Sequence, residues 1–279
     1  MRISEYSPAR RAEVADLMER VWGRRRQESE LEWLYEQNPV RPASVLLAEE
    51  RGRVVASVAI GFLQLRVGSD VVEVGMPFGL ATDPAYRGQG LFTRLQAANE
   101  GRARELGIRL LLVVPNAASA SVFVERLGWV RLPSLRVWAR ARLLPCRVRA
   151  REVGRYEHVH EGAGDGRVVR NTAWMNWRFA NAPRPYRLFE QGDGGYAVFG
   201  RLRRRAAFVA AHEGDLDASL GAVADRAVVA TVPRPAARAR LIAGWLPTPR
   251  TFTILGKTLD SAQPLPSRPR FELGDLDFL

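Results

Sequence analysis

The feature that most constrains this chain is a glycine-spaced turn between an apolar strand and a helix, "LATDPAYRGQGLFTRL", residues 80–95. The apolar run that leads into it, 70–82, predicts a buried strand, and an apolar stripe that begins at Leu91 predicts a helix. A second apolar run, "IRLLLVV", follows the helix and is typical of an interior parallel strand. This order predicts a right-handed strand–helix–strand unit with the turn at its first junction.

The turn has the chemistry of a phosphate-binding site. Backbone N–H groups in the first turn of a helix have no intrahelical partners, and the helix dipole adds partial positive charge there. Gly88 and Gly90 would let a ligand approach these amides, and Arg87 would add a charge-assisted contact. A plain surface turn with glycine at positive φ is the alternative interpretation. The turn lacks the lysine of a Walker loop, and it lacks the third glycine and the acidic residue of a dinucleotide fingerprint.

Composition and charge limit the classes of partner. The chain has 279 residues, enough for one large domain or two ordinary ones, and a formal net charge of +12. Lys257 is the one lysine among 42 basic residues, and the arginines are spread along the chain. This pattern is more typical of a GC-rich coding sequence than of a nucleic-acid-binding protein. We therefore expect no nucleic-acid partner, but a surface that attracts small polyanions.

Other features indicate where the protein resides. No stretch approaches the ~18 consecutive apolar residues of a membrane span, and the N-terminal segment lacks the apolar core of a signal peptide. Cys146 is the one cysteine, so no internal disulfide can form. We expect a cytoplasmic protein that does not bind membranes.

The chain repeats itself. A frame of Trp, one residue, an aromatic residue, three residues and Pro occurs at 33–39 and again at 177–183, and a Gly-Trp step recurs at 128–129 and 244–245. We predict a boundary near residue 146, with one domain at 1–145 and a second at 146–279. The second copy is shorter and has no counterpart of the glycine turn, so we expect it to be degenerate and to complete the acceptor pocket. Chance recurrence of Trp and Gly-Trp is the alternative.

The stretch "LATDPAYRGQGLFTRL" resembles the acyl-CoA-binding motif of the GNAT superfamily of N-acetyltransferases, whose usual form is a strand, Pro-x-Tyr-Arg-Gly-x-Gly and a helix. The helix that ends in Leu127-Gly128-Trp129 is similar to the family's following segment. The resemblance is strongest over residues 72–130. It implies an α/β fold with two acetyltransferase-like domains, each a mixed central sheet flanked by helices.

The resemblance also implies which residues bind acetyl-CoA, the expected co-substrate. The cofactor pyrophosphate would lie against the backbone amides of the loop, which is formed by Arg87, Gly88, Gln89, Gly90, Leu91 and Phe92. The pantetheine arm would pair with the exposed strand edge at Leu80, Ala81 and Thr82, and Asn116 would contact the pantetheine or CoA end. The implied reaction is direct transfer of an acetyl group to a small-molecule amine, with a backbone N–H near Leu80 as the oxyanion donor.

The chain departs from the family pattern at two positions. Phe92 stands where the family usually has Gly or Ala, which alters packing more than charge binding. Val124 stands where many members have a tyrosine that acts as general acid, so either another group protonates the departing thiolate or none is needed. Glu73 is the candidate general base. The position of Glu73 matches that of the family's glutamate on this strand only to within about one residue. Because neighbouring residues of a strand point to opposite faces, the alternative role of Glu73 is a surface carboxylate.

Several alternatives remain open from the sequence. The donor could be a longer acyl or an aminoacyl group on the same scaffold, or the protein could bind CoA without catalysis. His158 and His160 have no third ligand in view, so we expect no metal site. Trp174 and Trp177 are expected in the core. Asp275 and Asp277 could reach a pocket between the halves or be solvated. The acceptor amine and the oligomeric state cannot be read from the sequence.

Overall fold

The structure, a computed structural model, describes residues 1–141, 150–162, 164–192, 194–203, 206–221, 223, 227–232, 241, 244–261, 263–267 and 269–276. Its strands form one mixed twelve-stranded sheet with helices packed against it. This confirms the predicted mixed α/β class. No helix in the described part of the chain is long and apolar enough to cross a membrane.

The twelve strands, in chain order, are β1 (Arg2–Glu5), β2 (Ser44–Glu50), β3 (Arg53–Val67), β4 (Asp70–Thr82), β5 (Leu110–Val113), β6 (Val130–Ala141), β7 (Ala150–Val153), β8 (Tyr186–Gln191), β9 (Tyr196–Arg203), β10 (Ala206–Glu213), β11 (Ala227–Val232) and β12 (Leu246–Thr258). The described helices are α1 (Arg11–Trp22), α2 (Glu28–Tyr35), α3 (Leu91–Glu105), α4 (Ala117–Ser121), α5 (Thr172–Met175), α6 (Leu216–Leu220) and α7 (Leu273–Leu276). Single π-helical turns, Val122–Arg126 and Asn176–Ala180, extend α4 and α5.

Helices cover both faces of the first half of the sheet. The apolar stripe of α1, which includes Leu17, clusters with Leu47 of β2, whereas Leu91 of α3 clusters with Leu46 of the same strand. Neighbouring residues of a strand point to opposite faces, so α1 and α3 lie on opposite sides of the sheet. The first-half sheet is therefore buried on both faces, as the long apolar strands predict.

The strand order is nearly symmetric. It runs β1-β2-β3-β4-β5-β12-β6-β11-β10-β9-β8-β7. Counted inward from β1, three antiparallel pairs are followed by the parallel pair β4–β5 and the antiparallel pair β5–β12. Counted inward from β7, three antiparallel pairs are followed by the parallel pair β10–β11 and the antiparallel pair β11–β6. The two series meet at the antiparallel pair β12–β6. Strand β12 lies between β5 and β6, so the two halves of the chain interleave at the centre of the sheet. The predicted boundary near residue 146, together with Cys146, lies outside the described residues, and the division into 1–145 and 146–279 stays a prediction.

The two copies of the tryptophan frame face each other. Trp33 Nε1 donates a hydrogen bond to the Trp177 carbonyl oxygen at 2.8 Å, and Trp177 Nε1 donates to the Trp33 carbonyl oxygen at 3.1 Å. The two indole rings stack with centroids 5.4 Å apart. Trp174 and Trp177 are both buried, as the sequence predicts. This reciprocal pair joins α2 to the π-helical turn of the second half.

The substitution Trp33→Phe tests the contribution of this contact. It removes the donor that satisfies the buried Trp177 carbonyl, and it leaves a smaller ring in the stack. We expect the free energy of unfolding to fall by about 2 kcal/mol in urea denaturation. Trp22→Phe, at a side chain of α1 that is about half exposed, should change stability by less than about 0.5 kcal/mol. Equal effects of the two substitutions would contradict the assignment of Trp33 as a joint between the halves.

The second half has a much reduced version of the strand–helix–strand unit. Strands β10 and β11 are parallel, like β4 and β5, but the helix between them, α6, has 5 residues where α3 has 15. Asp215 precedes α6, and its carboxylate accepts a hydrogen bond from the Asp217 amide at 2.9 Å. A carboxylate at this helix start repels a diphosphate, so this unit offers no counterpart of the glycine loop.

A buried ionic cluster fixes the described end of the chain. Arg170 contacts Asp275 at 2.5 Å and Glu272 at 2.8 Å, and His212 pairs with Glu272 on the other side. Asp275 is 0 % exposed, so it is neither solvated nor in an open pocket. Asp277 lies outside the described residues. Burial acts to raise the pKa of Glu272, but the charges of His212 and Arg170 outweigh it and lower that pKa to about 2.

The Glu272 carboxylate gives stability a predictable pH dependence. Its pKa is about 2 in the folded chain, whereas the ordinary glutamate value is about 4.3. A depressed carboxyl pKa adds stability above the unfolded value, and this is lost as pH falls through the folded value. We therefore expect urea midpoints to drop as pH is lowered from about 5 to about 2. Glu272→Gln should flatten that fall, and an equally steep profile in this variant would contradict the assignment.

Candidate active site

Strands β4 and β5 are paired over a short length and then separate. Their parallel ladder has two pairs, Val74 with Leu110 and Gly75 with Leu111. Strand β4 continues to Thr82 along β3, while its other edge has no neighbouring strand among the described residues. The backbone of 76–82 therefore presents an open edge to a ligand.

A β-bulge lies in this open stretch. Ser57 of β3 pairs with Ala81 and Ala59 pairs with Phe78, so Gly79 and Leu80 together oppose a single residue of β3. Gly79 has φ 61°, the left-handed conformation that bulges of this kind require. A bulge bends the strand and re-aims the backbone groups of the extra residue. The predicted pantetheine edge, Leu80 to Thr82, and the predicted oxyanion donor lie at this bend.

The predicted pyrophosphate loop is open to solvent. Residues 87–90 are exposed, and α3 begins at Leu91 after Gly90. Gly88 and Gly90 have φ of 77° and 71°, and a Cβ at either position would meet nothing within 4 Å. The first amides of α3 have no intrahelical acceptor, and no side chain caps the helix. Exposed amides at a helix start, with room in front of them, fit a bound diphosphate.

The base of the loop is held by an ion pair. Arg20 of α1 binds the Asp83 carboxylate at 2.7 Å, and the same carboxyl group accepts a hydrogen bond from the Ala85 amide at 3.1 Å. Burial acts to raise the pKa of Asp83, but these bonds outweigh it and hold the pKa below its ordinary value. Arg87 Nε donates to the Thr82 carbonyl oxygen at 3.3 Å. These contacts anchor the start of the loop.

Asn116 and Phe92, the last residue of the predicted loop, both make contacts around α4. Asn116 follows β5, at the same edge of the sheet where β4 ends, and its side chain caps α4 by accepting from the Ser119 amide at 2.9 Å. Phe92 packs edge-to-face on Phe123 with ring centroids 5.4 Å apart. Its larger ring therefore fills space against the π-helical turn after α4, while its amide stays at the helix start.

Glu73 lies away from the loop. It is near the beginning of β4, before the paired segment, whereas the loop follows the other end of that strand. Its carboxylate is 2.9 Å from Arg41 Nε, and Arg41 also lies over the Phe62 ring at 5.4 Å. This placement favours a structural ion pair over contact with the transferred group. Val124 is half-buried in the π-helical turn and has no proton to donate.

The variant Glu73→Gln separates the two roles of this carboxylate. Because the ion pair is partly exposed, we expect stability to fall by less than about 1 kcal/mol and kcat to stay within about twofold. Arg41→Gln breaks the same pair from its other side and should behave alike. A tenfold drop in kcat for Glu73→Gln alone, with the KM for the expected co-substrate unchanged, would assign Glu73 as the base.

Tyr35 is a candidate that the sequence interpretation missed. Its hydroxyl is buried and has no hydrogen-bond partner within the described chain. It is 3.6 Å from where a Cβ of Gly79 would lie, so it points at the bulge. Burial raises the pKa of Tyr35 above the ordinary tyrosine value, so the hydroxyl keeps its proton at neutral pH. The sequence did contain a signal for Tyr35 in the repeated tryptophan frame. The aromatic position of that frame is Tyr35 in the copy with the glycine loop and Phe179 in the copy without it.

Comparison with known proteins relates the part of the chain that holds this site to a family. Residues 2–131 match the family model described as "Acetyltransferase (GNAT) domain". The first half of the chain is therefore similar to a GNAT acetyltransferase domain. The splayed strands, the glycine loop and α3 all lie within the matched residues, and the match supports an acyltransferase. A search of curated protein sequences found no significant match.

Solved structures share the fold over nearly the whole chain. A GCN5-related N-acetyltransferase from Kribbella flavida aligns with a TM-score of 0.69 and 17 % identity, over 93 % of this chain and 72 % of that one. One from Anabaena variabilis gives 0.68 and 13 %, over 93 % and 73 %. Eis1 from Mycobacterium abscessus gives 0.56 and 16 %, over 82 % and 65 %. At these identities the similarity concerns the fold. It extends beyond the GNAT domain into the second half.

Metal ligands are a separate matter. The described residues contain no group of three or more His, Cys, Asp or Glu side chains arranged to hold a metal ion.

Proposed function

We propose that this protein transfers the acetyl group of acetyl-CoA directly to the amine of a small molecule. The observation that carries the proposal is the loop at 87–90, whose amides and glycines are exposed at the start of α3. A diphosphate needs several N–H donors and a positive potential, and this loop supplies both. The open edge of β4 begins on the same side, so one extended ligand can occupy the loop and the edge together.

The bulge is the proposed transfer point. Leu80 contributes the backbone N–H that stabilises negative charge on the carbonyl oxygen during attack. Tyr35, which points at the same bend, replaces the tyrosine that is absent at Val124. As the C–S bond breaks, the Tyr35 hydroxyl gives its proton to the sulfur and recovers one from the acceptor nitrogen or from solvent. The raised pKa of Tyr35 keeps this donor protonated.

The experiment is a thiol-release assay with acetyl-CoA and a panel of small amines, with the acetylated product identified by mass spectrometry. We expect thiol release that depends on the amine, and heat on titration of CoA alone in a calorimeter. Longer acyl-CoA donors in the same assay decide the acyl group. The proposal fails if CoA gives no heat and no amine increases thiol release above hydrolysis.

A further inference from the structure

A cavity of about 320 Å³ lies where the α1–α2 connection meets the chain that follows the second tryptophan frame. Its charged lining residues are Arg24, Arg26, Glu30, Arg178 and Arg184. Trp33 and Tyr186 contribute aromatic walls. The cavity thus draws residues from both halves of the chain, and we call it the arginine cleft.

The arginine cleft is rich in positively charged side chains. Four of its lining residues are arginines and one, Glu30, carries a carboxylate, which pairs with Arg24 at 2.9 Å. Arg178 is held in place, because it stacks on Trp33 at 5.3 Å and donates to the Gly274 carbonyl oxygen at 2.7 Å. Arg26 is half-buried and makes no hydrogen bond or ion pair with the described residues. Like charges gathered in a concave site focus a field that attracts anions.

The cleft adjoins the proposed transfer point. Leu34 lines it, and the next residue of α2, Tyr35, faces the β4 bulge. The Arg26 charge acts on the Tyr35 hydroxyl, where it opposes the effect of burial on that pKa. The cleft and the bulge are thus both contacted by α2, through Leu34 and Tyr35 respectively.

We propose that the arginine cleft binds the acceptor, and that the acceptor is a small amine that also carries an oxyanion, a carboxylate or a phosphate. This inference rests on the proposed function, because it names the substrate of the same site. Guanidinium groups bind such oxyanions with paired hydrogen bonds. A volume of about 320 Å³ is at the lower end for ligand pockets and suits a metabolite, not a protein segment.

Matched pairs of amines test the charge preference. Phenylalanine is compared with phenethylamine, and phosphoethanolamine with ethanolamine, in the thiol-release assay. We expect the anionic member of at least one pair to have a kcat/KM about tenfold higher or more. The pair with the larger ratio tells carboxylate from phosphate. If both members of each pair have the same kcat/KM, or if the uncharged members are preferred, the proposal is overturned.

Substitutions then locate the preference in the cleft. Arg26→Gln should raise the KM for the anionic amine about tenfold and leave the uncharged amine unaffected. Arg25→Gln is the matched control, because Arg25 lies on the same connection, pairs with Asp16 and does not line the cavity. An equal effect of the two substitutions would overturn the proposal.

The acetyltransferase proposal and the arginine-cleft proposal can fail independently. If no amine increases thiol release, the acetyltransferase assignment fails, and calorimetry with phenylalanine and phosphoethanolamine judges the cleft alone. Saturable heat that Arg26→Gln weakens and Arg25→Gln does not would support the anion site. No heat from either compound would overturn it.

Discussion

Replacing Gly88 and Gly90 together with alanine is expected to weaken CoA binding by at least about 100-fold. Both glycines have positive φ, which alanine adopts only with strain, so the loop should relax into another conformation. The relaxed loop no longer aims its amides at one point, and the added methyl groups occupy the space in front of them. Calorimetric titration of CoA measures the effect.

The control for this variant is Gly107→Ala at the other end of α3. Gly107 also has positive φ, 78°, and open space around its Cβ position. The substitution therefore introduces similar strain without touching the loop. We expect Gly107→Ala to bind CoA as the unchanged protein does. If the double variant keeps its affinity, or if both variants lose it equally, the loop is not the diphosphate site.

The substitution Tyr35→Phe is expected to lower kcat by about 100-fold with little change in the KM for acetyl-CoA. It removes the proposed proton donor and nothing else, because the hydroxyl has no partner within the described chain. For the same reason the melting temperature should stay the same or rise, since a buried unsatisfied polar group is lost. Kinetics and thermal unfolding of one preparation give both readings.

Tyr6→Phe is the matched control for Tyr35. The Tyr6 ring packs edge-to-face on Tyr35 at 5.2 Å, and its hydroxyl donates to Glu36 at 2.9 Å. Loss of the Tyr6 hydroxyl should lower stability by about 1 kcal/mol and leave kcat unchanged. This is the opposite of the result expected for Tyr35→Phe. Full activity of Tyr35→Phe would mean that thiolate departs without an acid, or that another group supplies the proton.

The parts of this fold that the sequence predicted are those encoded locally. The apolar runs and the glycines between them determine β4, the loop and α3, and each is read from a few consecutive residues. The repeat frame also has a physical basis, because Trp33 and Trp177 occupy equivalent places and bind each other.

What the sequence could not give depends on long-range contacts. The insertion of β12 between β5 and β6 joins residues more than a hundred positions apart, and no local pattern encodes it. Burial of Asp275 depends on Arg170, and the ion pair of Glu73 depends on Arg41. The Tyr35 hydroxyl becomes a candidate only when the fold brings it to Gly79.

A crystal structure with CoA bound tests the central claim most directly. We predict that the diphosphate oxygens lie within hydrogen-bonding distance of the amides of residues 87–92, and that the pantetheine arm follows the open edge of β4 at 80–82. CoA bound elsewhere on the molecule, with those amides facing only solvent, would contradict it.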